Sequence, residues 1–424
     1  MASDSKASTV SMGDLLRLPG FRAFWLANLI SNLGTSAFVL AITWLTVKQY
    51  GSAGIATLAL AYGLPQMLLQ LVGGTLCDRI NRKRLFAITQ SGMLIASLLI
   101  LAASSQEMVP LWLLALVNAV NGVISAFDTP ARTALVTDLV KPHQVSVAQE
   151  LYSLTSSVTN IFGPALGGVL LSLGPTARSH EEVAFAFDAL SFVPLLISIA
   201  WLPRGSGAAG VSNTGQSFRA SMQAGLQMVR NRVDLRTMLL LLALVMGLGM
   251  PFQGLLPVFV HSHLNAEGGH TFYAALMSAV GLGSFVGSLL GMGLLERLRA
   301  GMLLGGASAG LAISVLILSA SNVVHWASLS AFLAGSCSYL AISTDNALLQ
   351  AGTEREMQGR INAIANLTKG LQSLSLAAAC FSIHLISSLH RFGSGYQPVQ
   401  ISLAIGLLVG VACLWPRLHR LQLR

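Results

Sequence analysis

Gly73-Gly74-Thr75-Leu76-Cys77-Asp78-Arg79-Ile80-Asn81-Arg82-Lys83-Arg84 separates an apolar run at 54–76 from another at 85–105. About 20 mostly apolar residues suffice to cross a bilayer as a helix. The stretch therefore reads as a tight polar loop between two membrane spans: glycines where the helices leave the membrane, then one acid and four basic residues.

Working outward, the same alternation recurs along the chain. Apolar runs fall at 22–47, 54–76, 85–105, 109–128, 147–173 and 183–203, and again at 236–261, 271–294, 301–320, 325–346, 360–388 and 398–416. They are numbered here as spans 1 to 12. Composition agrees: 54% of the 424 residues are hydrophobic and 10% charged, with mean hydropathy +0.68, where a soluble domain carries about 25% charge. The expected fold is an all-α membrane protein of twelve transmembrane helices in two pseudo-symmetric six-helix halves. The expected organisation is an N-terminal segment at 1–21, a first half at 22–203, a central loop at 204–235, a second half at 236–416 and a tail at 417–424. Residues 1–17 are polar and the first apolar run is already a full span, so no cleavable signal is expected.

A net charge of +9 raises nucleic acid as a partner, but the basic residues are scattered between apolar runs instead of forming one patch. Alternating the spans puts 21 of them on one face and only Lys48, Arg178 and Arg391 on the other. By the positive-inside bias, both termini and the central loop are then cytoplasmic. Within that loop, Phe218, Met222, Leu226, Val229 and Val233 share one helical face among arginines, the pattern of a helix lying on a membrane surface. Cys77, Cys337, Cys380 and Cys413 form no paired motif and read as small apolar residues. His261, His263 and His270 flank a loop without the convergence a metal site needs. No nucleotide-binding loop appears, so neither an ATP-driven pump nor an enzyme is expected, and no cofactor.

The halves align at an offset of 218, matching Gly73 to Gly291, Asp78 to Glu296 and Arg79 to Arg297. In span 4, Asn118, Asn121, Ser125, Asp128 and Arg132 recur every three or four residues and make one polar stripe. The same offset gives Ser336, Tyr339, Ser343, Asn346 and Gln350 in span 10. Repeats of this kind point to alternating access around a site between the halves.

The loop at 73–84 resembles the loop 2–3 signature of the major facilitator superfamily. Phe127-Asp128-Thr129-Pro130-Ala131-Arg132-Thr133-Ala134-Leu135, Asn346-Ala347-Leu348-Leu349-Gln350 and Gln358-Gly359-Arg360 are similar to a bacterial exporter subgroup typified by the enterobactin (siderophore) exporter and the macrolide efflux proteins. The resemblance covers essentially the whole chain. It implies a gate built from Gly73, Gly74, Asp78, Arg79, Arg82, Lys83, Arg84, Asp128, Arg132, Gly359 and Arg360. In that gate Asp78 meets the start of span 11 near Gly359 and Arg360, and Arg82 pairs with Asp128, latching the outward-facing state. Asn81 stands where the family often has glycine, a residue type that tolerates left-handed backbone. In span 5, Gly163-Pro164-Ala165-Leu166-Gly167-Gly168 resembles the end of the family's antiporter motif, with Thr159 and Glu150 in place of its earlier glycines.

For the substrate cavity the polar faces of the spans supply Asn28, Asn32, Asn118, Asn121, Tyr339, Asn362, Asn366 and Lys369 as candidates, and Met246, Met250 and Gln253 as span 7 counterparts. Lys369 lies about nine residues into span 11, where an ammonium is costly unless it faces water or a partner. Asp188, some five residues into span 6, reads as a local structural carboxylate, because span 6 is peripheral in the fold that the chain resembles. Glu150 reads as a carboxylate at a helix start. The function expected is secondary export of a small organic molecule across the bacterial inner membrane, by proton antiport, with a siderophore as favoured cargo. The alternatives are multidrug or macrolide efflux, a proton-coupled importer of a sugar or organic acid, and a non-transporting membrane sensor. The expected partners are the small-molecule substrate, protons and the lipid bilayer, with no nucleic acid and the chain a monomer.

Overall fold

The computed structural model describes residues 12–77, 81–173, 179–202, 227–264, 269–295, 298–321, 323–353, 355–389 and 395–418. Asp78 and Arg79 of the gate lie outside these residues, as does 203–226 of the central loop; so do the side chains at 71–77 and those of Arg360, Asn362, Asn366 and Lys369. Among the described residues eleven helices are long and apolar enough to cross a membrane. The first, Pro19–Cys77, runs for 59 residues and breaks at Gly51, whose φ of 59° and ψ of −151° leave the helical region. A single straight helix of that length would be about 88 Å long at 1.5 Å per residue, far more than a bilayer. Gly51 is thus the turn between spans 1 and 2, a backbone conformation that a side chain would strain, and the chain crosses twelve times.

The remaining spans are Arg82–Ser104, Leu111–Asp138, Val145–Leu173 and Ser179–Trp201 in the first half. In the second half span 7 runs from Val233 through two π-helical turns to Leu264. Gly269–Leu295, Ala300–Ala320, Val324–Ala351, Arg355–Ser388 and Tyr396–Leu418 complete it. A short helix, Met12–Leu16, precedes span 1 and buries Leu15 completely. The face on which the described chain begins and ends is called here the terminal face, and the opposite one the far face.

Lipid tails are as apolar as leucine, so span–span association rests on close packing of small residues rather than on hydrophobic burial. Gly122 of span 4 lies on the Tyr62 carbonyl of span 2, and Gly335 of span 10 lies on the Val280 carbonyl of span 8. Across the halves, Gly281 of span 8 rests on the Asn160 carbonyl of span 5, while Gly63 and Gly370 join spans 2 and 11 through Ser373 and Met67. A Cβ at any of these positions would overlap its neighbour. Leu68, Ile88 and Leu190 point outward as a lipid-facing surface. Trp112 and Trp326 near the far face, and Trp201 and Trp415 near the terminal face, sit where aromatic belts sit in membrane proteins.

Two expectations are corrected by the helix ends. Span 4 does not stop at 128 but continues to Asp138, so Arg132 is a buried helix residue and not a loop charge. The offset of 218 holds for span 3 against span 9, which start at Arg82 and Ala300, but not for span 4 against span 10. Those start at Leu111 and Val324 and end at Asp138 and Ala351, an offset of 213 at both ends, because span 9 and the turn after it are shorter. The packing agrees, since Tyr62 and Val280 differ by 218 while Gly122 and Gly335, which rest on them, differ by 213. The counterparts of Asn118, Asn121, Ser125, Asp128 and Arg132 are therefore Ala331, Ala334, Ser338, Ala341 and Asp345. The expected polar stripe of span 10 is not the structural counterpart of the one in span 4.

Candidate transport cavity and gate

Span 4 carries its polar residues on one face, and depth decides what each does. Asn118, Asn121 and Ser125, in the middle of the helix, line a cavity of about 420 Å³ between the halves. Asp128 and Arg132, one and two turns nearer the terminal face, are shut inside the first half. The Arg132 guanidinium donates to Asp128 Oδ2 at 2.5 Å, to Asn28 Oδ1 at 2.7 Å and to Asn32 Oδ1 at 2.9 Å, and lies over the Phe86 ring. Asp128 Oδ1 accepts from Gln90 Nε2 at 2.6 Å and from Thr89 Oγ1 at 3.0 Å. Spans 1, 3 and 4 are thereby tied by a charge pair whose carboxylate oxygens are all bonded, as a buried pair requires, while Arg132 Nε has no hydrogen-bond partner among the described residues.

The cluster redistributes several expected roles. Arg82 does not pair with Asp128: its Nη1 meets Asp138 Oδ1 at 2.7 Å, ten residues further along span 4 at the membrane surface. Asp128 is occupied by Arg132, which is nearer along the same helix. Asn28 and Asn32 hold Arg132 and are absent from the cavity wall. Tyr339 is likewise absent from it. Lys83 Nζ donates to the Leu202 carbonyl and, at 3.3 Å, to that of Ala200, closing the end of span 6. Asn81 has φ of −58° and is not left-handed; its side chain accepts from the Arg84 backbone N–H and starts span 3 as an N-cap.

The span 5 glycines are contact points. A Cβ at Gly163 would strike Ser36 and one at Gly167 would crowd Ala37, both in span 1, whereas one at Gly168 would strike Ala274 of span 8. The Gly-Pro-x-x-Gly-Gly segment thus lets span 5 approach both halves at once.

The cavity itself is walled by both halves. Thr35, Phe38 and Ile42 of span 1, Leu58 and Tyr62 of span 2, Met93 of span 3, and Asp188 and Phe192 of span 6 face Gln253 of span 7, Tyr273 and Met277 of span 8, and Gln372, Ser373 and Leu376 of span 11. Its volume lies within the range of small-molecule sites, and so does its mixture of apolar wall with a few polar groups. At the far face Trp44 of span 1 bridges the halves: its ring stacks on Tyr273 at 6.0 Å between centroids and meets His261 of span 7 edge-on at 6.5 Å. Sequence reasoning did not find Trp44 or Tyr273, whose apolar neighbours give no pattern to single them out. Among the described residues, no group of three or more His, Cys, Asp or Glu residues converges as a metal site would.

The transmembrane secretion effector profile matches residues 12–420, nearly the whole chain. The chain belongs to the transmembrane secretion effector family. This places it among the major facilitator transporters, a group of transporters and not of enzymes, as a multi-pass membrane transporter of the efflux type that acts on small molecules. Macrolide efflux protein A of Streptococcus pyogenes is 25% identical over 366 residues, covering 84% of this chain and 86% of the relative. The staphyloferrin A transporter of Staphylococcus aureus is 22% identical, with 63% of each covered. The solved structure of a point mutant of the nucleoside transporter NupG superposes with a TM-score of 0.75 at 11% identity, covering 93% of this chain and 98% of that one, which bears on the fold alone.

Proposed function

We propose that this protein is a secondary exporter that moves an amphipathic organic molecule from the cytoplasm across the inner membrane in exchange for protons. The observation that carries the reading is the cavity, walled by both halves, apolar and aromatic over most of its surface, and dotted with amide, hydroxyl and carboxylate groups. Such a wall suits a drug-like cargo with several polar substituents. The Trp44–Tyr273–His261 cluster over its far end supports loading from the terminal face, the cytoplasmic one by charge bias. The efflux relatives support the direction, and the glycine-rich span 5 supports antiport.

A siderophore cargo is the second reading. It is favoured by the staphyloferrin A relative and by Lys369 on one helical face with Asn362 and Asn366, since an ammonium suits an anionic chelator. The test uses proteoliposomes with an imposed pH gradient, offered a macrolide or a carboxylate siderophore. Cargo-dependent proton movement is expected with at least one of them. A pH gradient that neither drives cargo movement nor is discharged by it removes the coupling, and uptake against the expected direction removes export.

A further inference from the structure

The cavity holds a carboxylate that expected function assigned only a local role. Asp188 of span 6 is 3% exposed and lines the cavity wall beside Phe192. Ser97 Oγ of span 3 donates to its Oδ2 at 2.8 Å, and Thr35 Oγ1 of span 1 to its Oδ1 at 3.3 Å. Two neutral hydroxyl donors position the group without balancing its charge.

No cation among the described residues does so either. On the elements packed against span 6 the described acidic and basic groups stand toward the membrane edges. Span 1 has Arg22 at its start and Lys48 at its end, where Lys48 lies 3.5 Å from Glu181, two turns from Asp188. Span 2 contributes Tyr62 on the cavity wall. Span 3 begins with Arg82, bound to Asp138, with Lys83, bound to the end of span 6, and with the adjacent Arg84. Span 5 offers Glu150 and Tyr152 near its start, and span 6 itself Glu181 and Glu182 in its first turn; across the cavity span 8 adds Tyr273 on the wall and His270 in its first turn, while the side chain of Lys369 in span 11 lies outside the described residues. A carboxylate enclosed in a low-dielectric space needs a proton or a counter-cation. The cavity is where either one would arrive.

We propose that Asp188 is the point at which a proton and the cationic group of a lipophilic amine exclude one another, making organic cations the preferred cargo class of this exporter. A positive cargo group entering the cavity meets the Asp188 carboxylate, with the rings of Phe38, Phe192, Tyr62 and Tyr273 around it to accept a cation on their faces. The O–H bond of the acid breaks, the proton leaves to water on the side then open, and the carboxylate keeps the electron pair and holds the cation electrostatically. When the cavity opens to the other side, a proton from that side restores the O–H bond and frees the cation. One proton moves in for each monocation moved out, so the exchange is electroneutral. This rests on the export reading above and adds the cargo charge and the exchanging group.

The experiment is a binding measurement on the purified full chain in weakly buffered lipid nanodiscs, using two ions of one shape: tetraphenylphosphonium and tetraphenylborate. Tetraphenylphosphonium is expected to bind with release of close to one proton, and at least tenfold more tightly than tetraphenylborate. Asp188→Asn is expected to lose at least tenfold in affinity for the cation, together with proton release, and to leave the anion unaffected or better bound; Asp188→Glu keeps both signals. Equal cation affinity in Asp188→Asn, or a wild-type preference for the anion, overturns the proposal. Should Asp188→Asn fail to assemble, the wild type decides: dicyclohexylcarbodiimide labelling of Asp188, read by mass spectrometry, is expected to be blocked by the cation alone, and labelling indifferent to the cation overturns the proposal. No transport enters these readouts. A protein that passes them yet moves no cargo in the pH-gradient assay refutes the export reading and not the site.

Discussion

Spans 4 and 10 occupy the same place in their halves, and their buried carboxyl groups are treated in opposite ways. Span 4 buries Asp128 with Arg132, and spans 1 and 3 close the cluster with Asn28, Asn32, Thr89 and Gln90. Span 10 buries Asp345 at the position corresponding to Arg132. Among the described residues, neither of its carboxylate oxygens has a hydrogen-bond partner, and the neighbouring Thr344 hydroxyl has none either. The glycine contacts that position the two helices survive in both halves while the polar groups do not. Backbone packing is what the repeat shares; the Asp128–Arg132 cluster belongs to the first half.

That contrast can be broken experimentally, the largest effect first. Arg132→Ala strips Asp128 of its cation, and loss of one partner of a buried pair costs about 3–5 kcal/mol. Thermal unfolding in detergent is expected to show a markedly destabilised or unassembled protein, and an unchanged midpoint would mean that the cluster does not hold the first half together. Gly122→Val and Gly335→Val each drive a side chain into a carbonyl, with an expected loss of about 1–3 kcal/mol apiece. Similar losses for the two support the offset of 213, whereas tolerance at Gly335 alone would leave the helices out of register. Asp345→Asn sharpens the comparison by replacing a buried carboxyl group that has no partner among the described residues. It is expected to be neutral or to stabilise by up to about 1 kcal/mol, where Asp128→Asn destabilises. If both variants lose stability equally, the two environments are not different in kind. Arg82→Gln is the mildest, because its pair with Asp138 is partly exposed and such pairs contribute about 0.2–1 kcal/mol. A loss far beyond that range would give the loop 2–3 arginine more than a local role.

The candidate site was legible in part. Asn118 and Asn121 reach the cavity because the middle of span 4 faces the opposite half. Asn28 and Asn32 share the same residue type and helical spacing, but a guanidinium from another helix claims them. Spacing along one helix shows which side chains share a face, and says nothing of what that face meets. Asp188 was undervalued for the same reason: its surroundings come from spans 1 and 3, more than ninety residues away in the chain.

What the sequence determined by itself is the crossing of the bilayer. Apolar length, glycine and basic loop residues suffice for that, because each helix must satisfy its own backbone in lipid whatever its neighbours are. The twofold construction was also visible, since packing glycines and loop charges recur at a nearly constant interval. Only the tertiary structure decided the partners: Asp138 for Arg82, Arg132 for Asp128, two hydroxyls for Asp188 and, among the described residues, none for Asp345. In a medium that does not solvate charge, a buried polar group is defined by whichever group stands within about 3 Å of it. In this chain those neighbours are brought together by helix packing, often from spans far apart in sequence.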